Sequence, residues 1–131
     1  MAEVHLVTAP DYFRAGQALA AFDQAEADVD AAFWSLEDDD EWAFYVHTTR
    51  YSLSRKQTYA MLLDALNKYP GALPLEDIKL LPADSDLLKA LRSAYSFGLD
   101  SPFGVDPEVH LHVGNATFGG HFVRYLVIYR L

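Results

Sequence analysis

The fold is decided by residues 29–48, which read VDAAFWSLEDDDEWAFYVHT. Two short stretches rich in aromatic and β-branched residues, 29–36 and 42–48, flank five consecutive acids. Strand formers on both sides of a short polar connection are typical of a β-hairpin. In the second stretch, Trp42, Phe44 and Val46 alternate with Tyr45 and His47, so the two sets lie on opposite faces of the strand. The sequence therefore predicts an antiparallel strand pair with an acidic tip.

Helical periodicity appears on both sides of this hairpin. Apolar residues at helical spacing, with hydroxyl or carboxylate caps before them, predict three helices. Proline or glycine ends the second and third of these patterns. The helices are expected at about residues 10–24, 54–69 and 84–98.

The remaining strand signals are short alternating or β-branched runs. They lie at residues 4–7, 76–81, 109–113 and 121–131, and residues 114–120 are predicted to form the turn between the last two. The order is β-α-β-β-α-β-α-β-β. Hairpins mixed with helical crossovers predict a single α+β domain, in which a mixed, mostly antiparallel sheet carries about three helices.

Composition excludes several functional classes. The chain has 131 residues, which is enough to bury a core without a disulfide or a structural metal. Its 19 acids against 10 lysines and arginines give a net charge of −9, which argues against a nucleic-acid partner. There is no long apolar run, no signal-peptide pattern and no cysteine. These absences predict a cytoplasmic protein with no membrane partner.

Residues of the kind that form a hydrophobic core, spread along the chain, resemble those of a known group of proteins. They are Ala32-Phe33-Trp34, Glu41-Trp42, Tyr59 to Leu66, Leu75 to Leu81, Asp86-Leu87 and the closing run Tyr125 to Leu131. This succession resembles a group of small bacterial α+β proteins of unassigned activity, over most of the chain. The resemblance implies a bacterial, cytoplasmic domain and assigns no functional residue.

The first candidate site surrounds the start of the second helix. Basic residues concentrate there, and no acid lies between Glu41 and Asp64. Cations at a helix N-terminus oppose its dipole, whereas a bound phosphate or carboxylate relieves that repulsion. A solvated helix start explains the same pattern without a ligand. The predicted anion-binding residues are His47, Arg50, Ser54, Arg55 and Lys56.

The second candidate site lies on the last hairpin. Alternation places Glu108, His110 and His112 on one strand face, and His121 follows the predicted turn. Imidazoles arranged in this way can bind Zn²⁺ or a similar transition metal. The polar outer face of an edge hairpin explains the pattern equally well. No other cofactor is predicted.

The third candidate is the acidic stretch. Nine acids and no lysine or arginine lie from Asp23 to Glu41. A face of one charge can dock a protein partner with a basic surface, whereas solvated acids at a hairpin tip are the simpler alternative. The predicted interaction face is Glu37, Asp38, Asp39, Asp40 and Glu41.

The absence of known catalytic motifs ranks these alternatives. The chain has no nucleophile elbow, Walker motif, dinucleotide fingerprint or HExxH helix, which disfavours an enzyme. We therefore expect an acidic protein-interaction or regulatory module that docks a basic partner. The alternatives are an anion- or phosphate-binding protein, with or without hydrolase activity, at residues 50–57 and a metal site at 108–121. The last strand is apolar on both faces, which is typical of a central strand or of an edge that pairs in a homodimer.

Overall fold

The computed structural model describes residues 10–36, 41–49, 55–82, 84–94 and 111–131. Within these ranges the helices are α1 (Tyr12–Gln24), α2 (Arg55–Asn67) and α3 (Asp86–Ala94). The strands are β1 (Val29–Leu36), β2 (Trp42–Thr48), β3 (Ile78–Leu80), β4 (Leu111–Phe118) and β5 (His121–Arg130). The predicted α+β fold and element order are confirmed, and the strand predicted at 4–7 lies outside the described residues. None of the described helices has the length and apolar composition needed to cross a bilayer.

The five strands form one sheet in the order β3-β2-β1-β5-β4. The pairs β1–β2, β1–β5 and β4–β5 are antiparallel, and β2–β3 is parallel. The parallel pair is joined through α2, because a parallel connection needs a crossover. β5 lies between β1 and β4, so the closing strand is central, as one of its two interpretations predicted.

Capping residues fix both ends of α1. The Asp11 side chain accepts a hydrogen bond from the Arg14 backbone N–H at 3.0 Å. At the other end, the Ala27 N–H donates to the Phe22 carbonyl at 2.9 Å, the long bond of a Schellman motif. The motif places Glu26 in the left-handed region, at φ 55°, where glycine is usual.

The turn between β4 and β5 is shorter than predicted. β4 and β5 keep one register from Leu111 to Phe118, which leaves only Gly119 and Gly120 in the turn. The prediction of a turn over 114–120 was therefore wrong, because the turn-forming residues at 114 and 115 lie inside a paired strand. Both turn glycines have positive φ, which matches the twist of a two-residue hairpin.

The tip of this hairpin packs against the start of α3. A Cβ placed on Gly119 would lie 2.7 Å from the backbone oxygen of Asp86, whereas one on Gly120 would meet nothing within 4 Å. Only a glycine at 119 therefore allows this approach. The Ser85 hydroxyl caps the same helix end, since it accepts from the Leu88 N–H at 3.2 Å.

The sheet separates two hydrophobic cores. On one side, which we call the α1–α2 face, Phe22 and Leu62 from the helices pack with Phe44 and Val127 from the sheet. On the other side, the α3 face, Leu87 and Leu91 pack with three sheet residues, Phe33, Leu126 and Ile128. Alternation along the strands directs neighbouring side chains to opposite cores.

Candidate functional site

His47 lies near the end of β2 and faces α3. Tyr45, two residues earlier, packs on the α3 face and stacks on Phe33 with ring centroids 5.4 Å apart. Alternation puts the His47 side chain on the same face. That side chain is only 6 % exposed. A buried imidazole needs a hydrogen-bond partner at each of its two nitrogens.

Asp30 provides the partner for one nitrogen. Its Oδ1 lies 2.6 Å from Nδ1 of His47. Val29 pairs with Thr48 and Ala31 pairs with His47, so Asp30 is the extra residue of a β-bulge. A bulge changes the direction of the side chain that it carries. Here the bulge allows the carboxylate to reach the imidazole across the strand pair.

Arg92 binds the other oxygen of the same carboxylate. Its Nη2 donates to Oδ2 of Asp30 at 2.7 Å. Arg92 is in the last turn of α3, where the helix dipole favours a cation. The Arg92 side chain is 39 % exposed, so this ion pair contributes modestly to stability. The three side chains, from β1, β2 and α3, are called the Asp30–His47–Arg92 cluster below.

The cluster leaves one buried nitrogen without a partner. Because the Asp30 carboxylate accepts hydrogen bonds, Nδ1 of His47 carries a proton, as the hydrogen-bond network assigns it. Nε2 of the same ring is buried and has no hydrogen-bond partner among the described residues. A buried polar atom left unpaired costs ~1–3 kcal/mol. The carboxylate also orients the ring, as carboxylates do for catalytic and ligand-binding histidines.

Side-chain hydrogen bonds hold the chain just before the bulge. The Arg130 guanidinium donates to the Val29 carbonyl at 2.6 Å and also binds the Asp23 carboxylate at the end of α1. The Thr48 hydroxyl donates to the carbonyl of Ala27. These contacts fix the chain just before Asp30, so the carboxylate is positioned before any ligand arrives.

His47 lies on the opposite face of the sheet from α2, at whose start the anion site was predicted. α2 packs on the α1–α2 face through Leu62 and Leu66, while His47 faces the opposite side of the sheet. Lys56 is exposed in the first turn of α2, which Arg55 begins. The other two predicted residues, at positions 50 and 54, lie outside the described residues.

The predicted metal site is also not assembled by the described residues. His112 pairs with Val127 and His121 pairs with Phe118, so six residues of β4, about 20 Å of strand, separate the two histidines. The long predicted turn would have brought them close, whereas the two-residue turn keeps them apart. Glu108 and His110 lie outside the described residues, among which no group of three or more His, Asp or Glu is placed to hold a metal.

His112 instead contacts aromatic residues. Its Nδ1 lies 3.0 Å from the Tyr125 hydroxyl, and its ring lies 6.3 Å from that of Tyr12. Gly114 lies opposite Tyr125 on β4, and a Cβ placed on it would make an ordinary contact with that ring, at 3.9 Å. The exposed imidazole therefore belongs to an aromatic cluster beside the N-terminus of α1.

The acidic stretch is divided by the fold. Asp23 and Asp30 bind cationic partners within the protein. Glu26 and Asp28 are exposed before β1, and Glu41 is exposed after it. β1 has eight residues and spans about 25 Å, so the exposed acids lie at two ends of the sheet. The remaining four acids, at 37–40, lie outside the described residues.

Comparisons with known protein families, with curated proteins and with solved structures gave no match to this chain. What the protein binds has to be inferred from the chemistry of its own side chains. In the described part of the chain, that chemistry is concentrated in the Asp30–His47–Arg92 cluster.

Proposed function

We propose that the protein binds a small anion, a phosphate or a carboxylate, at the Asp30–His47–Arg92 cluster. The observation that carries the proposal is the buried Nε2 of His47, which has no hydrogen-bond partner in the part of the chain that the structure describes. A ligand that bonded to this nitrogen would remove the cost of leaving it unpaired.

The donors and acceptors of the cluster favour an anion over a neutral ligand. Both carboxylate oxygens of Asp30 are engaged, one by His47 and one by Arg92. The Arg92 guanidinium carries several further N–H groups, and over a third of the side chain is exposed. The free hydrogen-bonding capacity is therefore mainly donor capacity, which phosphate and carboxylate oxygens match well.

A purely structural role for His47 would require only one of the two ring nitrogens, Nδ1. The bond from Nδ1 to Asp30 is sufficient to fasten the bulge to β2. An asparagine at position 47 places an amide nitrogen close to the position of Nδ1 but has no equivalent of Nε2. The substitution His47→Asn therefore separates the structural contribution of the ring from its binding contribution.

The test is to titrate the wild-type protein and His47→Asn with inorganic phosphate and with citrate, by calorimetry and by thermal unfolding. We expect both anions to raise the Tm of the wild type, since ligands of the folded state stabilise it. His47→Asn should weaken binding by about tenfold or more, which is ~1.4 kcal/mol.

The matched control is Lys89→Ala, which removes an exposed cation from the same helix as Arg92. It should bind both anions as the wild type does. An absence of binding by the wild type, or equal binding by wild type and His47→Asn, would refute the proposal.

A protein partner with a basic surface is the second candidate. The observation that favours it is the pair of exposed acids before β1, since Glu26 and Asp28 both have φ 55°, a strained backbone for residues with side chains. Such strain is often retained where it serves a function. Affinity purification at low and raised salt, with charge reversal at Glu26 and at 38–40, tests it. A partner insensitive to salt and to the reversals would count against this function.

A further inference from the structure

The net charge of the Asp30–His47–Arg92 cluster depends on a single proton. With a neutral imidazole, the charges of Asp30 and Arg92 cancel, and Nε2 presents only a lone pair. With an imidazolium, the cluster has one net positive charge, and Nε2 presents an N–H donor. Only the second state complements an anion that carries no proton of its own and offers only lone pairs and negative charge.

The other ring nitrogen cannot take over this role. Nδ1 is held 2.6 Å from Asp30, whose carboxylate is set by the bulge and by its bond to Arg92. A ring flip would break the bond to Asp30. The proton that an anion requires must therefore be added at Nε2.

Among the described residues, the charged groups around the ring leave this added charge uncompensated until an anion binds. From β1, the Asp30 carboxylate contacts the ring, and from α3, Arg92 binds that carboxylate. Farther away, Arg130 is paired with Asp23, and the Lys79 ammonium of β3 lies 5.7 Å from the Tyr45 ring centroid. Each Asp–Arg pair is neutral by itself, so the bound anion becomes the counter-charge of the imidazolium.

We infer that the binding of an anion without a proton of its own is coupled to the uptake of one proton by His47 at this cluster, so that the protein binds such an anion together with a proton. This inference rests on the proposed function. By linkage, a ligand that binds only one protonation state draws the protein into that state, and a proton strengthens ligand binding to the same extent.

The coupling distinguishes two kinds of anion. Sulfate has no proton at neutral pH, so its binding must take a proton from solution. Monohydrogen phosphate brings its own O–H, which can donate to the lone pair of a neutral imidazole. Sulfate affinity should therefore fall as the pH rises, by at most tenfold per pH unit, and phosphate affinity should fall less.

The experiment is calorimetric titration of the whole protein with sodium sulfate at pH 7.5, in two buffers that differ in ionisation enthalpy. The difference in observed heat gives the number of protons taken up, and we expect about one per sulfate bound. Nitrogen-15 NMR of the imidazole provides a second measurement in the wild type. Nε2 of His47 should change from an unprotonated to a protonated nitrogen as sulfate is added.

Each outcome decides a different claim. Sulfate binding with proton uptake, lost in His47→Asn and kept in Lys89→Ala, supports the inference. Sulfate binding without uptake, or uptake that persists in His47→Asn, overturns the coupling and leaves the anion site standing. An absence of binding by sulfate, phosphate and citrate overturns the proposed function and the inference with it.

Discussion

The two faces of the sheet are built differently. On the α1–α2 face, two helices cover a core of eighteen buried residues, all apolar apart from the hydroxyl of Tyr129 and the indole N–H of Trp34. On the α3 face, a single nine-residue helix covers seven buried apolar residues, among the residues that the structure describes. The Asp30–His47–Arg92 cluster lies on this second face. In the described part of the chain, the α1–α2 face buries more apolar residues, so we infer that it contributes more to stability than the α3 face does.

The largest expected effect compares one buried phenylalanine from each face. Phe44→Ala removes a ring that contacts Trp34 and Tyr129, with centroids 4.9 and 5.6 Å away, and should lower the free energy of unfolding by ~3–5 kcal/mol. Phe33→Ala lies in the smaller of the two described cores and should lower the free energy of unfolding by less, because a smaller core collapses more readily around a cavity. Urea denaturation measures both. Equal costs would mean that the two cores are equally rigid.

The next effect tests how α3 is held on its face. Gly119→Ala should destabilise the protein by about 2–3 kcal/mol, because its Cβ would overlap the Asp86 carbonyl and its φ is positive. Gly120→Ala is the matched control, with positive φ and open space, and should cost only about 1 kcal/mol. Similar losses for the two variants would show that the hairpin tip does not restrain α3.

Alkaline pH tests the α1–α2 face through Tyr129. Burial raises the pKa of this phenol well above the usual value, so the folded chain keeps a proton that the unfolded chain loses. Stability should be unaffected below about pH 10 and should fall above it, by up to ~1.4 kcal/mol per pH unit. Tyr129→Phe should show a smaller alkaline loss in denaturation measured from pH 8 to 11. An unchanged alkaline loss would assign the effect to other groups.

The smallest expected effect is a stabilisation. Glu26→Gly relieves left-handed strain at the end of α1 and should raise the free energy of unfolding by ~0.5–1 kcal/mol. Thermal unfolding measures the shift. If the charge of Glu26 serves a basic partner, the same variant should weaken that interaction while the protein becomes more stable. A loss of stability would show that the strain is compensated locally.

Much of the fold followed from local patterns. Apolar spacing located α1 and α2, and alternating aromatic residues located the β1–β2 pair. The sheet order did not follow, because the pairing of Ala32 with Arg130 depends on contacts between distant parts of the chain. The last turn was misplaced because Gly114 and Asn115 favour turns by themselves, and Asn115 has a φ of 45°, but both lie within β4, whose register with β5 continues beyond them.

The Asp30–His47–Arg92 cluster was predicted only at His47, and with other partners. Asp30 is the only charged residue in the apolar run 29–36, which was a usable signal. Hairpin register would then have placed it near the end of β2. The bulge hides this relation, since it changes the face on which Asp30 lies. Nothing in the sequence around Arg92 distinguishes it from another exposed helix cation, because its role depends on how α3 docks.

The central position of β5 affects how the chain is assembled during synthesis. β1 and β2 can pair soon after both have been translated, but the other edge of β1 has no strand to pair with until Arg130 has left the ribosome. Throughout that interval, an apolar strand edge is available for wrong pairing with other chains. The pairing of β1 with β5 therefore forms late, and we expect chaperone demand and aggregation in the cell to depend on the speed with which residues 111–131 are made.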